Sequence, residues 1–111
     1  MRDDKLYIQD ILKEIDYLLK VTSEMSYEHF LNDETHIRAA ERSIEIIGEA
    51  ASKMSATIKN DNKKIQWQLM KDMRNIIAHD YFQVDYSILW ETILYDLPTT
   101  REDLDQLLKS K

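Results

Sequence analysis

Seven apolar side chains recur at alternating spacings of three and four residues across the middle of this chain. A seam of this kind runs along one side of an α-helix and packs against a partner helix. The chain offers few interruptions, because its 111 residues include only one glycine and one proline. Such a scarcity of breakers leaves little room for the many turns of an all-β fold. The residues of the seam are Ile37, Ala40, Ile44, Ile47, Ala51, Met54 and Ile58.

The residues before the seam predict a first helix and a cap at which the seam helix begins. A first amphipathic helix is predicted over about residues 4–21, where apolar residues recur at helical spacing. A short turn or helix follows before Asn32 or Asp33, either of which can cap the seam helix. Gly48 inside that helix costs roughly 1 kcal/mol relative to alanine. We therefore expect Gly48 to permit either close packing by another helix or contact with a ligand.

The second half of the chain continues the helical pattern. A polar stretch over residues 59–64 predicts a solvated loop. The next helix should begin near Ile65 or Trp67 and run toward Tyr81, and Asp85 is a plausible cap for the helix after it.

Pro98 is expected to end that helix. Thr99 and Glu102 then resemble a capping box that starts a last short helix. The sequence thus predicts one all-α domain over residues 1–111, an up-and-down bundle of four to five helices.

Charge and composition narrow the function classes. The net charge of −6 argues against a protein that coats long nucleic acids. Residues 63–79 nevertheless carry a net +3, so a local patch can hold a few phosphates, with Lys71 as a candidate contact. Cysteine is absent, and no apolar segment is long enough for a signal peptide or a membrane span. We expect a soluble, cytoplasmic protein.

Arg74 and His79 supply the chemistry for cutting a phosphodiester without a metal ion. An arginine can hold a phosphate through paired hydrogen bonds, and a histidine exchanges protons near neutral pH. Five residues on a regular helix separate these positions by about 140°. The pair can therefore meet only if the helix ends or distorts, as residues 80–85 suggest, or if a symmetric dimer joins one chain's histidine to the other's arginine.

The pattern Arg-x4-His-x-Tyr, formed here by Arg74, His79 and Tyr81, resembles the signature of the HEPN family of helical RNases. The sequence around these residues is even more similar to that of the HepT toxins of MntA–HepT toxin–antitoxin systems. One departure is Met70-Lys71-Asp72, where a glycine is common. The resemblance is carried by Ile47-Gly48-Glu49-Ala50-Ala51, by Trp67 with Met73-Arg74-Asn75, and by His79-Asp80-Tyr81-Phe82 with Val84-Asp85 and Trp90.

The resemblance implies a metal-independent endoribonuclease that acts as a homodimer on single-stranded RNA, either mRNA or tRNA, with no cofactor for cleavage. By that resemblance, His79 would be the acid/base and Arg74 would bind the scissile phosphate. Asn75 would orient a catalytic group or contact the phosphate. Tyr81 would be AMPylated by an MntA-like nucleotidyltransferase antitoxin, which uses ATP and Mg; the alternative is that its ring only packs.

A second hypothesis is a non-catalytic helical module that dimerises, or that binds a nucleotidyltransferase partner or a nucleotide. It is motivated by the acidic net charge and by the unfavourable angle between Arg74 and His79. Among the other candidates, His29 and His36 are predicted to be surface histidines rather than metal ligands. Glu49 reads as a solvated carboxylate or a cleft residue. Trp67 and Trp90 are expected to close the core or to lie at a dimer edge.

Overall fold

The computed structural model describes residues 2–79 and 84–110, except for the side chain of His79. These residues form seven helices and contain no strand, so the predicted all-α class is confirmed. Five helices have ten or more residues, and two short ones add to the four or five predicted. The helices are α1 (Asp4–Glu24), α2 (Tyr27–Leu31), α3 (Glu34–Lys53), α4 (Ala56–Asp61), α5 (Trp67–His79), α6 (Tyr86–Tyr95) and α7 (Leu97–Lys109).

Helix α1 packs against three other helices. It contacts α3, α6 and α7, while α5 packs on the far side of α3. The apolar stripe of α1 is completely buried at Ile8, Ile11, Ile15 and Leu18. None of the described helices is both long and apolar enough to cross a membrane.

Five residues of the predicted seam are buried and two, Ile37 and Ile58, are half-buried. The seam crosses two helices rather than one. Helix α3 ends at Lys53, and Met54 is extended. Ser55 then caps α4, because its hydroxyl accepts a hydrogen bond from the Ile58 N–H. Asp4 holds this break in place by accepting from the Ser55 N–H at 3.0 Å and from the Ser55 hydroxyl at 2.7 Å. Helix α4 also runs to Asp61, so part of the predicted 59–64 loop is helical.

Two of the predicted helix caps are confirmed and one is wrong. Asp33 and Asp85 cap α3 and α6 as expected, since each side chain accepts from a backbone N–H of the first turn. The roles predicted for Pro98 and for the capping box of Thr99 and Glu102 are wrong. Helix α6 ends at Tyr95, and Pro98 lies in the first turn of α7. Its missing N–H costs nothing there, because the first N–H groups of a helix have no intrahelical acceptor.

Gly48 lies where α3 and α5 approach most closely. A Cβ atom at this position would overlap the Cβ of Arg74 and lie 2.9 Å from the Met70 carbonyl oxygen. Both obstacles belong to or adjoin the α5 backbone and cannot swing aside. Close helix packing therefore explains the glycine, as expected, and the same contact places Arg74 against α3.

We predict that Gly48→Ala destabilises the protein by about 1–3 kcal/mol, the usual cost of overpacking a tight contact. Chemical denaturation measures the change. A peptide spanning residues 34–53 is the control, because alanine there should raise helicity when α5 is absent. Equal or greater stability of the Gly48→Ala protein would contradict the account of the helix contact.

Candidate active site

The guanidinium of Arg74 is held on two sides. Asn75 Oδ1 accepts hydrogen bonds from Nε at 3.4 Å and from Nη2 at 3.1 Å. On the α3 side, the Ser52 hydroxyl accepts from Nη1 at 3.2 Å. Arg74 is half-buried against α3, so its head group is oriented by the protein rather than by solvent.

Ser52 is a site residue that the sequence did not reveal. Its hydroxyl donates to the Gly48 carbonyl at 2.8 Å, which aims the oxygen lone pairs away from α3 and toward Arg74. Ser52 follows Gly48 by one helical turn. A signal therefore existed: a hydroxyl one turn after the close-approach glycine lies on the side of α3 that faces α5.

The hydrogen bonds of Arg74 leave part of its head group available. A guanidinium carries five N–H donors. Three hydrogen bonds join Arg74 to other residues in the described part of the chain, which leaves two donors unused by those residues, one each on Nη1 and Nη2. Two N–H groups on neighbouring nitrogens match the oxygens of a phosphate.

His79 is the last residue of α5, and its side chain lies outside the described part of the chain. Helix α5 is continuous from Arg74 to His79, so no helix end or distortion separates the two positions. On a regular helix the two positions differ by about 140° of rotation about the helix axis and by about 7.5 Å of rise along it. Asn75 lies one turn before His79 on the same edge, and it bonds directly to Arg74.

Tyr81 belongs to residues 80–83, which are outside the described residues. Lys71 precedes Arg74 by three residues and is half-buried, so the two basic positions are neighbours on α5. Asn75 and Arg74 are thus brought together by direct contact, and Lys71 adjoins them on the helix.

The remaining candidates lie elsewhere. His29 is exposed and His36 is half-buried, and both approach Asp33, with His36 Nδ1 at 2.7 Å from Asp33 Oδ2. Within residues 2–79 and 84–110, no three histidine or acidic side chains are grouped as metal ligands. Glu49 is exposed and pairs with Lys53 at 3.1 Å, which agrees with the prediction that it is a solvated carboxylate.

Both tryptophans close the core. Trp67 is 8% exposed and donates from Nε1 to the Asn62 carbonyl oxygen at 3.1 Å. Trp90 is 9% exposed and packs on Tyr27 and Phe30. These contacts anchor both ends of the segment that carries the site.

A family model described as Ribonuclease HepT-like matches residues 11–107. The chain belongs to the HepT-like ribonuclease family. The match spans the whole of α3 and α5, which carry the residues around Arg74. The family predicted from the residues around 74–81 is therefore confirmed, and with it the class of enzyme.

Three similar proteins cover almost the same length. A Caldanaerobacter subterraneus subsp. tengcongensis protein named "Putative RNase" is 33% identical, over 100% of this chain and 99% of its own length. A Thermococcus cleftensis protein named "Probable ribonuclease HepT" is 35% identical, over 97% and 98%. A Methanocaldococcus jannaschii protein named "Putative RNase" is 34% identical, over 97% and 93%. No solved structure gave a significant match.

In this HepT-like ribonuclease, we predict that Ser52→Ala lowers the rate of RNA cleavage by about tenfold. That factor corresponds to about 1.4 kcal/mol, just below the range of about 1.5–3 kcal/mol for a hydrogen bond to a charged group. Ser52→Thr keeps the hydroxyl and should restore the rate. Ser23→Ala is the matched control, because Ser23 also bonds a helix carbonyl but lies on α1. An equal loss in both alanine variants would contradict a specific role for Ser52.

Proposed function

We propose that this protein is an endoribonuclease toxin that cuts single-stranded RNA without a metal ion. Arg74 would bind the scissile phosphate, and His79 would move the protons. The proposal is supported above all by the oriented guanidinium of Arg74, which keeps two donors available on a helix that ends at His79. The family match over residues 11–107 supplies the reaction class.

The reaction needs one proton acceptor and one proton donor. The RNA 2′-hydroxyl attacks the adjacent phosphorus and gives its proton to neutral His79. The bond from phosphorus to the 5′-oxygen breaks, and that oxygen takes a proton from a protonated histidine. The products are a 2′,3′-cyclic phosphate and a 5′-hydroxyl. Arg74 stabilises the charge that gathers on the phosphate oxygens.

Two copies of the chain would supply both histidines. In a symmetric dimer, two α5 helices facing each other bring Arg74 of one chain toward His79 of the second chain. Within one chain, about 140° of helix separates the two positions. Single-stranded RNA suits such a cleft, because its backbone can reach the in-line geometry that a duplex resists.

Tyr81 is the proposed point of control. A partner nucleotidyltransferase of the MntA type would transfer AMP from ATP to its hydroxyl. The product would carry negative charge and bulk two residues beyond His79. Such a group would compete with RNA for the donors of Arg74 and repel the substrate.

We predict that the purified protein cuts single-stranded RNA in EDTA and that His79→Ala lowers the rate by at least about 100-fold, the usual loss when a general acid–base is removed. Mass spectrometry of the fragments should show 2′,3′-cyclic phosphate ends. The same oligonucleotide made of DNA is the control, because it lacks the 2′-hydroxyl.

His36→Ala is the matched protein control, since it removes a half-buried histidine from α3, a different helix from that of His79. It should leave cleavage unchanged. Cleavage of the DNA control, or full activity of a folded His79→Ala protein, would refute the proposed reaction.

A further inference from the structure

Four basic residues lie on α4, on α5 and in the turn between them. Lys59, Lys63, Lys71 and Arg74 form no ion pair with another described residue. Their neighbour Lys64 differs, because it pairs with Asp103 at 3.5 Å. The protein as a whole is acidic, so unpaired cations grouped in one region favour a ligand that is an anion.

Two relations link three of these cations, a spacing on α5 and an electrostatic repulsion. Lys71 and Arg74 are three residues apart on α5 and so lie on neighbouring positions of its surface. Lys59, on α4, is within electrostatic range of Lys71. Burial lowers the pKa of the Lys59 ammonium and the Lys71 cation lowers it further, against the opposing effect of Asp4. A bound anion would relieve this repulsion.

A groove of about 460 Å³ continues this set of cations beyond Lys59. Lys59 and Lys63 line it together with Gln66 and Gln68, and Ile65 and Leu69 contribute apolar surface. Ammonium and amide groups beside apolar side chains suit a chain of phosphates that carries bases. Residues 63–79 have a net charge of +3, which leaves −9 for the rest of the protein.

We propose that Lys71, Lys59 and Lys63 form a phosphate track, which leads single-stranded RNA from Arg74 into the groove at the start of α5. The track would bind the backbone on one side of the cleaved bond, over several nucleotides and without regard to base sequence. This inference rests on the proposed function, which identifies the substrate as RNA. It adds two contacts, Lys59 and Lys63, that lie outside the signature segment.

The test measures the binding of a fluorescent single-stranded RNA to the full-length His79→Ala protein over a series of salt concentrations. Each phosphate contact contributes about 0.7 to the slope of log affinity against log salt for a single strand. Lys59→Gln and Lys63→Gln should each reduce the slope by about 0.7, and the double variant by about 1.4. Lys63 is exposed, so its replacement leaves the fold intact even if that of Lys59 does not.

Lys13→Gln and Lys20→Gln, singly and together, are the matched controls. Both are exposed lysines of α1 that form no ion pair with a described residue. Their slopes should equal that of the parent protein. The phosphate track is refuted if the Lys59/Lys63 double variant keeps the parent slope, or if the control pair lowers the slope equally.

Two further outcomes separate this inference from the proposed function. If wild-type protein cuts RNA in EDTA while the Lys59/Lys63 slope is unchanged, the track is wrong and the ribonuclease proposal stands. If the slope falls as expected but wild-type protein cuts no RNA, the track is supported and the proposed reaction fails. Normal RNA binding by the double variant, combined with lost binding to the nucleotidyltransferase, would assign the lysines to a protein partner and overturn the track.

Discussion

The contact between α3 and α5 at Gly48 is the constraint on which the site depends. A missing side chain on α3 lets the backbone of α5 come close enough for Met70 O and Arg74 Cβ to occupy the space of a Cβ atom. The arginine then leaves α5 directly beside α3, where the Ser52 hydroxyl reaches it. The glycine thus costs helix stability at one residue and fixes the position of Arg74, the proposed phosphate-binding cation.

The fixed orientation of the Arg74 guanidinium prepares the site to bind an anion. A mobile arginine would lose conformational freedom each time it bound a phosphate, whereas this guanidinium is already restrained by Asn75 and Ser52. Both partners accept hydrogen bonds and neither carries a negative charge, so no residue of the described part of the chain neutralises Arg74 through an ion pair. The restraint and the charge together suit an anion whose charge grows during the reaction.

Features that depend on local chemistry were predictable from sequence, and features that depend on distant contacts were not. The Asp85 cap follows from the residues next to it. The break between α3 and α4 depends on Ser55 meeting Asp4, which lies 51 residues away. The spacing from Gly48 places Ser52 on the side of α3 that faces α5, but its contact with Arg74 depends on the register of α3 against α5. Pro98 was misread because a proline is compatible with both the end of one helix and the first turn of the next.

The central claim is that Arg74 of one chain works with His79 of a second chain, and mixing two inactive proteins tests it directly. Arg74→Ala and His79→Ala proteins are assayed alone and after joint refolding, with mixed dimers counted by native mass spectrometry. A mixed dimer keeps one Arg74 and one His79 on different chains. That His79 can accept the 2′-hydroxyl proton, and water must replace the second histidine as proton donor, so we expect a rate below that of the wild type. The account predicts that mixed dimers cut RNA although neither parent does. If mixed dimers form and remain as inactive as the parents, the pair acts within one chain or not at all, and the composite site is wrong.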